Sequence, residues 1–286
     1  MTLPVAVRIE SMERIPFGVA RLDDTLGGGA PPGSAVLLAG ESGAGAREFL
    51  YTAAATHALR TSDPELFDLY YGDEPADARF PPEIHYLSFT AGPRHIDREM
   101  AYTMTDDVVE AAVPEIQFRD FSPEYFQLSP IPREWYAGET SRITDLDTGE
   151  GRDLLEALGD YLNEHAAGNV VCVDSITDLV GADGNDWSDV SMLLQGIEKA
   201  TQDWGGIVLL LVNTDSLTDQ QFGQLTAAAS GTFEFSWSSG GSQRARTMVV
   251  RAFRGVLSRL ESENIIRFET EIHEGGFDIS DVRKIR

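Results

Sequence analysis

Lysine is almost absent from this sequence. Of 22 basic residues, 20 are arginines and only Lys199 and Lys284 are lysines, against 47 acidic residues, so the net charge is −25. Acid-rich, lysine-poor chains are typical of cytosolic proteins from extreme halophiles, because high salt screens the repulsion among their carboxylates. We therefore expect an extreme halophile as the source, and the charge by itself does not identify a partner.

Cysteine and long hydrophobic runs are scarce as well. A single cysteine, Cys172, excludes an intramolecular disulfide and fits a reducing compartment. No stretch has the apolar length of a membrane span, and residues 1–10 lack the basic and apolar regions of a signal peptide. The five histidines have no metal-ligand spacing. We therefore expect a cytoplasmic protein without membrane insertion.

Short apolar segments recur along the chain between helical patterns. Near-continuous apolar strands of this kind form parallel sheets that are covered on both faces. Three later segments alternate apolar and polar residues, which is typical of antiparallel strands. The predicted parallel strands are 34–39, 84–89, 170–173 and 207–212, and the predicted antiparallel strands are 231–237, 243–254 and 264–272.

Helical patterns cover 46–59, 96–112, 151–166 and 190–204. With 286 residues, of which 42% are hydrophobic, the chain can bury one large core. The pattern therefore predicts a single α/β domain over 1–286, with a mainly parallel central sheet flanked by helices and antiparallel strands at its C-terminal edge.

Two segments, 61–82 and 114–150, fit no regular element and are expected to be insertions. Loops of this length in a compact domain are usually functional or disordered. The second contains four prolines and several aromatic residues, which serve partner binding or packing against the core, and the sequence leaves both roles open. The aromatic residues are Tyr125, Phe126, Trp135 and Tyr136.

The segment 35–50 has the layout of a phosphate-binding loop. Such a loop reads G-x-x-x-x-G-K followed by Ser or Thr, and Gly40 and Gly45 have this spacing between an apolar strand and a helical pattern. The lysine position is Ala46, and the hydroxyl position is Arg47. The candidate nucleotide-binding residues are Gly40, Ser42, Gly43, Ala44, Gly45, Ala46 and Arg47.

A second feature of nucleotide sites is Asp174, which follows the apolar strand 170–173. A carboxylate at the end of a strand beside a phosphate-binding loop holds the Mg²⁺ ion near the phosphates. A carboxylate in this place also serves as a helix N-cap, so the residue alone does not decide between the two roles.

Several strings of the chain resemble the KaiC-like branch of the RecA-fold ATPases. The lead-in Ile15–Ser34 reads I-P-F-G-V-A-R-L-D-D-T-L-G-G-G-A-P-P-G-S. The match continues through the segment 170–179, the string 250–255 and the glycine pair at 275–276. It covers about 15–279 outside the two expected insertions. The resemblance implies a RecA-like P-loop NTPase fold.

The same resemblance identifies positions at which catalytic side chains are missing. In KaiC-like proteins an acidic pair after the second strand polarises the attacking water, and Thr90 and Ala91 stand in its place. Neither residue can act as a base at neutral pH. The family's lysine in the string 250–255 is Ala252, whereas its arginine is kept as Arg254, which in oligomeric members approaches the neighbouring subunit's phosphate.

Arg47 allows two interpretations. Loss of the loop lysine should weaken phosphate binding about tenfold or more, since a charge-assisted hydrogen bond is worth roughly 1.5 to 3 kcal/mol. The backbone N–H groups of 43–47 still form an anion-binding nest. Arg47 either contacts a phosphate or forms a salt bridge with Asp174 at the metal position. We favour the salt bridge, because this side chain lies on the face that meets the metal carboxylate.

Loss of lysine, hydroxyl and base from one centre favours a pseudo-ATPase, since hydrolysis needs all three. The expected role is a regulatory or scaffolding module in signal transduction, with weak or no nucleotide binding. If a nucleotide binds, the resemblance implies ATP or ADP with Mg²⁺. Two alternatives are an active KaiC-like ATPase with a rearranged loop and a recombinase-like DNA-binding protein. The second is disfavoured, because the loops 181–189 and 213–219 contain no lysine or arginine.

The expected partners are proteins or further copies of the chain. The basic residues concentrate in 244–259, where they either meet a neighbouring subunit or pair with local acids. They are Arg244, Arg246, Arg251, Arg254 and Arg259.

Overall fold

The computed structural model describes residues 13–136, 153–180, 182–238, 245–256 and 265–284. Its strands are β1 (Ser34–Gly40), β2 (Ile84–Ser88), β3 (Ile116–Asp120), β4 (Val170–Asp174), β5 (Ile207–Asn213), β6 (Gly231–Ser238), β7 (Ala245–Phe253), β8 (Ile265–His273) and β9 (Gly276–Lys284). Its α-helices are α1 (Ala20–Leu26), α2 (Ala46–Ser62), α3 (Pro64–Tyr70), α4 (Pro93–Ala101), α5 (Asp106–Ala112), α6 (Ser122–Tyr125), α7 (Leu154–His165), α8 (Trp187–Trp204) and α9 (Asp219–Ala228).

The strands form one mixed sheet in the order β3-β2-β4-β5-β1-β6-β7-β8-β9. From β3 to β6 all neighbours are parallel, and β6 to β9 are joined in antiparallel pairs. This arrangement confirms the predicted α/β fold with antiparallel strands at the C-terminal edge. It also brings the carboxyl ends of β1, β4 and β5 to one edge of the sheet, where the candidate site lies.

The central strand β1 is buried along its whole length, because helices cover both faces of the sheet. Its side chains alternate between two cores. Val36 and Leu38 pack in the core that contains α2, whereas Leu37 packs with α7 and α8 on the other face. A strand that is buried on both faces is apolar at every position, which explains why β1, β4 and β5 were predictable from composition alone.

One predicted helix, 96–112, is wrong as a single element. The structure contains α4 and α5 in its place, separated by a turn. In that turn Met104 forms a β-bridge with Gly275, and the N–H of Thr105 donates to the carbonyl of Glu274 at 2.9 Å. Tertiary hydrogen bonds to the turn between β8 and β9 therefore replace the local helical bonds. Asp106 and Asp107 then favour the new helix N-terminus through the helix dipole.

The two segments expected to lack regular structure both contain some. In 61–82, α3 begins after Asp63, whose side chain accepts hydrogen bonds from two backbone N–H groups, and Pro64 occupies its first turn. In 114–150, β3 pairs with β2 as the edge strand of the sheet, and α6 follows it. The part of this segment from 137 to 150 lies outside the described residues. None of the described helices is long and apolar enough to cross a membrane.

Candidate functional site

The loop between β1 and α2 has glycine where its backbone requires it. Gly43 and Gly45 have φ angles of +73° and +111°, a region that residues with a side chain rarely occupy. A Cβ atom on Gly40 would lie 2.6 Å from the Cβ of Ala46. The loop geometry therefore explains the glycine spacing, with or without a ligand.

Ala46 places a buried methyl group at the position of the loop lysine. No positive charge therefore comes from this position. The backbone N–H groups that open α2, a helix of 17 residues, remain at the end of the loop. Whatever affinity for anions the loop retains must come from these groups and from Arg47.

Arg47 forms the predicted salt bridge with Asp174. Its Nη2 atom lies 2.9 Å from Asp174 Oδ1, and the two side chains are 52% and 6% exposed. Because β4 lies beside β5 and β5 beside β1, the carboxyl end of β4 is close to the start of α2. The fold thereby joins two residues that are 127 positions apart.

The other oxygen of Asp174 is bound by Tyr86 of β2. The Tyr86 hydroxyl donates to Asp174 Oδ2 at 2.8 Å, and its ring stacks on Tyr51 of α2 with centroids 5.9 Å apart. Burial and the nearby charge of Asp174 raise the pKa of Tyr86 well above its ordinary value, so the hydroxyl stays a donor. Sequence reasoning missed Tyr86. The signal was a tyrosine inside an apolar strand, where a buried hydroxyl needs a partner.

These residues do not fit a magnesium nucleotide. Both oxygens of Asp174 are occupied by protein donors, and a guanidinium stands where the metal-binding hydroxyl would be. At the expected position of the catalytic acids, Thr90 is exposed, and the N–H of Ala91 donates to Ser88 Oγ at 3.2 Å. Neither residue carries a carboxylate, so neither supplies a base.

The outer side of the loop is held by side chains that sequence reasoning did not identify. The Ser42 N–H donates to Asp215 Oδ2 at 2.9 Å, and the Ser42 carbonyl accepts from Trp237 Nε1 at 3.2 Å. Arg246 Nε donates to the Gly43 carbonyl at 3.1 Å, and its guanidinium lies 4.7 Å from the Trp237 ring centroid. These residues are distant in sequence and bind backbone atoms, so no sequence motif predicts them.

A cavity of about 490 Å³ opens in front of the loop. Among its lining side chains, Glu41, Glu48 and Glu99 carry negative charge, Arg47 carries positive charge, and Tyr51 and Tyr102 supply aromatic surface. The cavity thus lies where the motif predicts a ligand, but its charges are mainly negative. This balance opposes the binding of a polyphosphate.

Arg254 lies at the opposite end of the sheet from this loop. Its neighbour Phe253 pairs with Gly231 at the start of β6, whereas Gly40 at the loop pairs with Phe235. Arg254 Nη1 binds Glu198 Oε1 at 2.8 Å, and the arginine side chain is 64% exposed. Within the chain it therefore has an acidic partner and no access to the loop of its own subunit.

The other basic residues near Arg254 also have local contacts where they are described. Arg251 pairs with Glu234 at 3.0 Å, and Arg246 binds the loop as above. Arg244 and Arg259 lie outside the described residues. Arg251 and Arg254 thus pair with local acids, whereas Arg246 contacts the loop backbone and Trp237.

Comparison with known proteins yields a likeness of fold. No protein-family profile matches the sequence, and a search of curated proteins gives no match. Among solved structures, a KaiC-like protein from the hyperthermophilic archaeon Pyrococcus horikoshii OT3 superposes with a TM-score of 0.60 at 16% sequence identity. The superposition covers 94% of this chain and 100% of the other. The fold is KaiC-like. At this identity the likeness concerns the fold alone.

Proposed function

We propose that this chain is a catalytically inactive KaiC-like protein, a pseudo-ATPase, which acts as a regulatory or scaffolding module in signal transduction. The observation that carries the proposal is the closed contact among Arg47, Asp174 and Tyr86. In this contact, protein donors bind the carboxylate that coordinates the metal in an ATPase.

Opening this contact for a metal would be unfavourable. Asp174 is buried, and separating a buried charge from its partners leaves it without compensation. A metal would also have to approach the guanidinium of Arg47, so two positive charges would compete for one carboxylate. Protein donors satisfy both oxygens of Asp174 without a metal, which suits a structural role.

Hydrolysis needs phosphate-binding charge, a metal and a positioned base at the same time. Ala46, Arg47, Thr90 and Ala91 replace the side chains that supply them in KaiC-like ATPases. Because these four changes fall in one centre while the surrounding fold is retained, selection for the fold explains the chain better than selection for ATP turnover.

A module without turnover acts through contacts with other proteins or with copies of itself. Arg254 supports this part of the proposal, because most of its side chain is exposed beyond its contact with Glu198. We propose a cytoplasmic setting at high salt, in accordance with the net charge of −25. DNA is not the partner we propose, since phosphate binding needs cations and the loops after β4 and β5 lack them.

The direct test is ATP hydrolysis by purified protein at molar KCl with Mg²⁺, with Asp174→Asn as the control for contaminating ATPases. We expect the wild type and the variant to release phosphate at the same background rate. Magnesium-dependent turnover that Asp174→Asn abolishes would contradict the proposal and favour an active ATPase with a rearranged loop. Retention of the wild type on DNA at matched salt would favour the recombinase-like alternative.

A further inference from the structure

The Ser42–Gly43 segment of the loop is bound to a carboxylate of its own chain. Asp215 follows β5 and accepts the Ser42 N–H at 2.9 Å, so a negative charge stands beside a loop whose usual ligand is an anion. We infer that Asp215 is a specificity-determining residue that repels phosphate-bearing ligands from the loop. This inference rests on the proposed function, because it supplies a reason why the remaining backbone nest does not bind nucleotide.

The position of Asp215 is set by the fold. Asn213, the last residue of β5, is aligned with Gly40, the last residue of β1, so the two loops that follow these strands are adjacent. The Asn213 side chain accepts the N–H of Asp215 at 3.0 Å, and the N–H of Asn213 donates to Thr177 Oγ1 at 3.3 Å. Asp215 is therefore held in a short turn that is anchored on two sides.

The charge of Asp215 persists over the physiological pH range. Its hydrogen bonds with Ser42 lower the pKa of the carboxyl below its ordinary value. A second carboxylate, Glu41, is fixed on the same side, because its Oε2 accepts the N–H of Trp237 at 3.2 Å. Among the described residues, Arg246 is the cation bound to this segment, and it donates to the Gly43 carbonyl while it stacks on Trp237.

The charges on both sides of the loop thus disfavour the binding of a polyphosphate. On the inner side, Arg47 is paired with Asp174, so its charge is largely compensated. On the outer side, the described residues place two carboxylates, Asp215 and Glu41, beside one arginine, Arg246. A polyphosphate that reached the N–H groups of 43–47 would meet this negative field, which decreases with ionic strength.

The test compares Asp215→Asn with the wild type in binding inorganic pyrophosphate without metal. Asparagine keeps an oxygen acceptor for the Ser42 N–H and removes the charge, so the loop should keep its fold. Loop amide shifts in ¹⁵N–¹H spectra give Kd even in the millimolar range. Asp203→Asn near the end of α8 is the matched control, because it removes the same charge at an exposed site before β5, whereas Asp215 and the loop lie at the other end of that strand.

We expect Asp215→Asn to bind pyrophosphate roughly fivefold more tightly than the wild type and Asp203→Asn, with a difference that shrinks as KCl rises. Equal affinity of all three proteins, or no binding by any of them, would overturn the inference and assign Asp215 a tethering role only. Either result leaves the proposed function intact. That proposal fails separately, if the wild type hydrolyses ATP.

Discussion

The lead-in 15–33 and the loop 40–47 lie at the two ends of the central strand β1, but they differ in whether they keep the side chains of the KaiC-like pattern. In the lead-in, Asp23 is fully buried and accepts hydrogen bonds from the Phe17 N–H, the Gly18 N–H and the Tyr71 hydroxyl at 2.7, 3.0 and 3.2 Å. In the loop, the side chains that would bind phosphate and metal are replaced by Ala46 and Arg47.

The difference separates residues that stabilise the fold from residues that bind a ligand. Residues of the lead-in contact other parts of the same chain, so their loss would cost stability whether or not a ligand binds. Lysine, hydroxyl and base at the loop would contact only a ligand and its metal. Loss of the second set with retention of the first is what a protein used for its shape should show.

The largest effect that would test this comparison is expected at Gly29 in the lead-in. Its φ angle is +114°, and a Cβ atom there would lie 2.2 Å from the carbonyl oxygen of Ile15. We expect Gly29→Ala to lower the free energy of unfolding by about 3 kcal/mol or more, from clash and strain together. Urea denaturation at molar KCl measures the loss.

Gly159→Ala is the control for this prediction. Gly159 lies within α7, and a Cβ atom there would have no neighbour within 4 Å. We expect this change to stabilise the protein by roughly 0.5 to 1 kcal/mol, the difference in helix propensity. If both alanine variants had the same stability as the wild type, the lead-in would not be the rigid region described above.

The second prediction concerns pH and the buried His57, which contacts the lead-in through Pro16 O at 2.9 Å. Burial lowers the pKa of His57 to about 4 from its ordinary 6.5. Because the folded-state pKa is depressed, this stability is present above pH 6.5 and is lost as the pH falls towards 4. The expected loss is roughly 3 kcal/mol, at about 1.4 kcal/mol for each pKa unit.

His57→Gln keeps an amide donor for Pro16 and cannot be protonated, so its stability should be less sensitive to pH between 6.5 and 4. The raised pKa of Asp23, about 7 from burial, acts in the opposite direction, with stability that falls as the pH rises from 3.8 to 7. That contribution is common to both proteins and cancels in their difference. Parallel stability profiles of the two proteins would show that His57 is not buried in its neutral form.

Sequence reasoning recovered the parts of the fold whose signal is local. β1, β4, β5, α2 and α8 carry continuous apolar or helical patterns, and the Arg47–Asp174 pair follows from strand order once the fold is recognised. The strand β3 and the break between α4 and α5 depend on partners far along the chain. The helix α9 was also missed, although Thr218 and Gln221 form a capping box that could have marked its start.

At the loop, the third prediction tests whether the closed contact stabilises the protein. Tyr86→Phe removes the hydrogen bond to Asp174 Oδ2, and we expect a loss of about 1 to 3 kcal/mol in the free energy of unfolding. Arg47→Ala should lower it by about 1 kcal/mol, because half of this side chain is in solvent and the interaction is screened.

The two changes should not be additive, since both act on Asp174, so the double variant measures their coupling. Tyr125→Phe is the control, because its hydroxyl has no hydrogen bond among the described residues, and its effect should stay within about 0.5 kcal/mol. If Tyr86→Phe and Arg47→Ala also lowered the free energy of unfolding by no more than about 0.5 kcal/mol, the contact at Asp174 would not stabilise the protein.

The smallest effect on stability is expected at Arg254. Its ion pair with Glu198 is largely exposed, so Arg254→Gln should change the free energy of unfolding by less than about 1 kcal/mol. If Arg254 contacts a neighbouring subunit, the same change should shift any oligomer towards monomer in sedimentation velocity. Arg251→Gln, which removes an exposed charge on β7 three residues before Arg254, should leave the distribution unchanged. Identical sedimentation of the wild type and both variants would contradict an intersubunit role for Arg254.

The central claim, that protein atoms have replaced the metal at Asp174, is tested most directly by calorimetric titration of ATP into the wild type at molar KCl, with and without Mg²⁺. The account predicts either no binding or weak binding that is the same in both titrations. Binding that Mg²⁺ strengthens tenfold or more, and that Asp174→Asn removes, would contradict it.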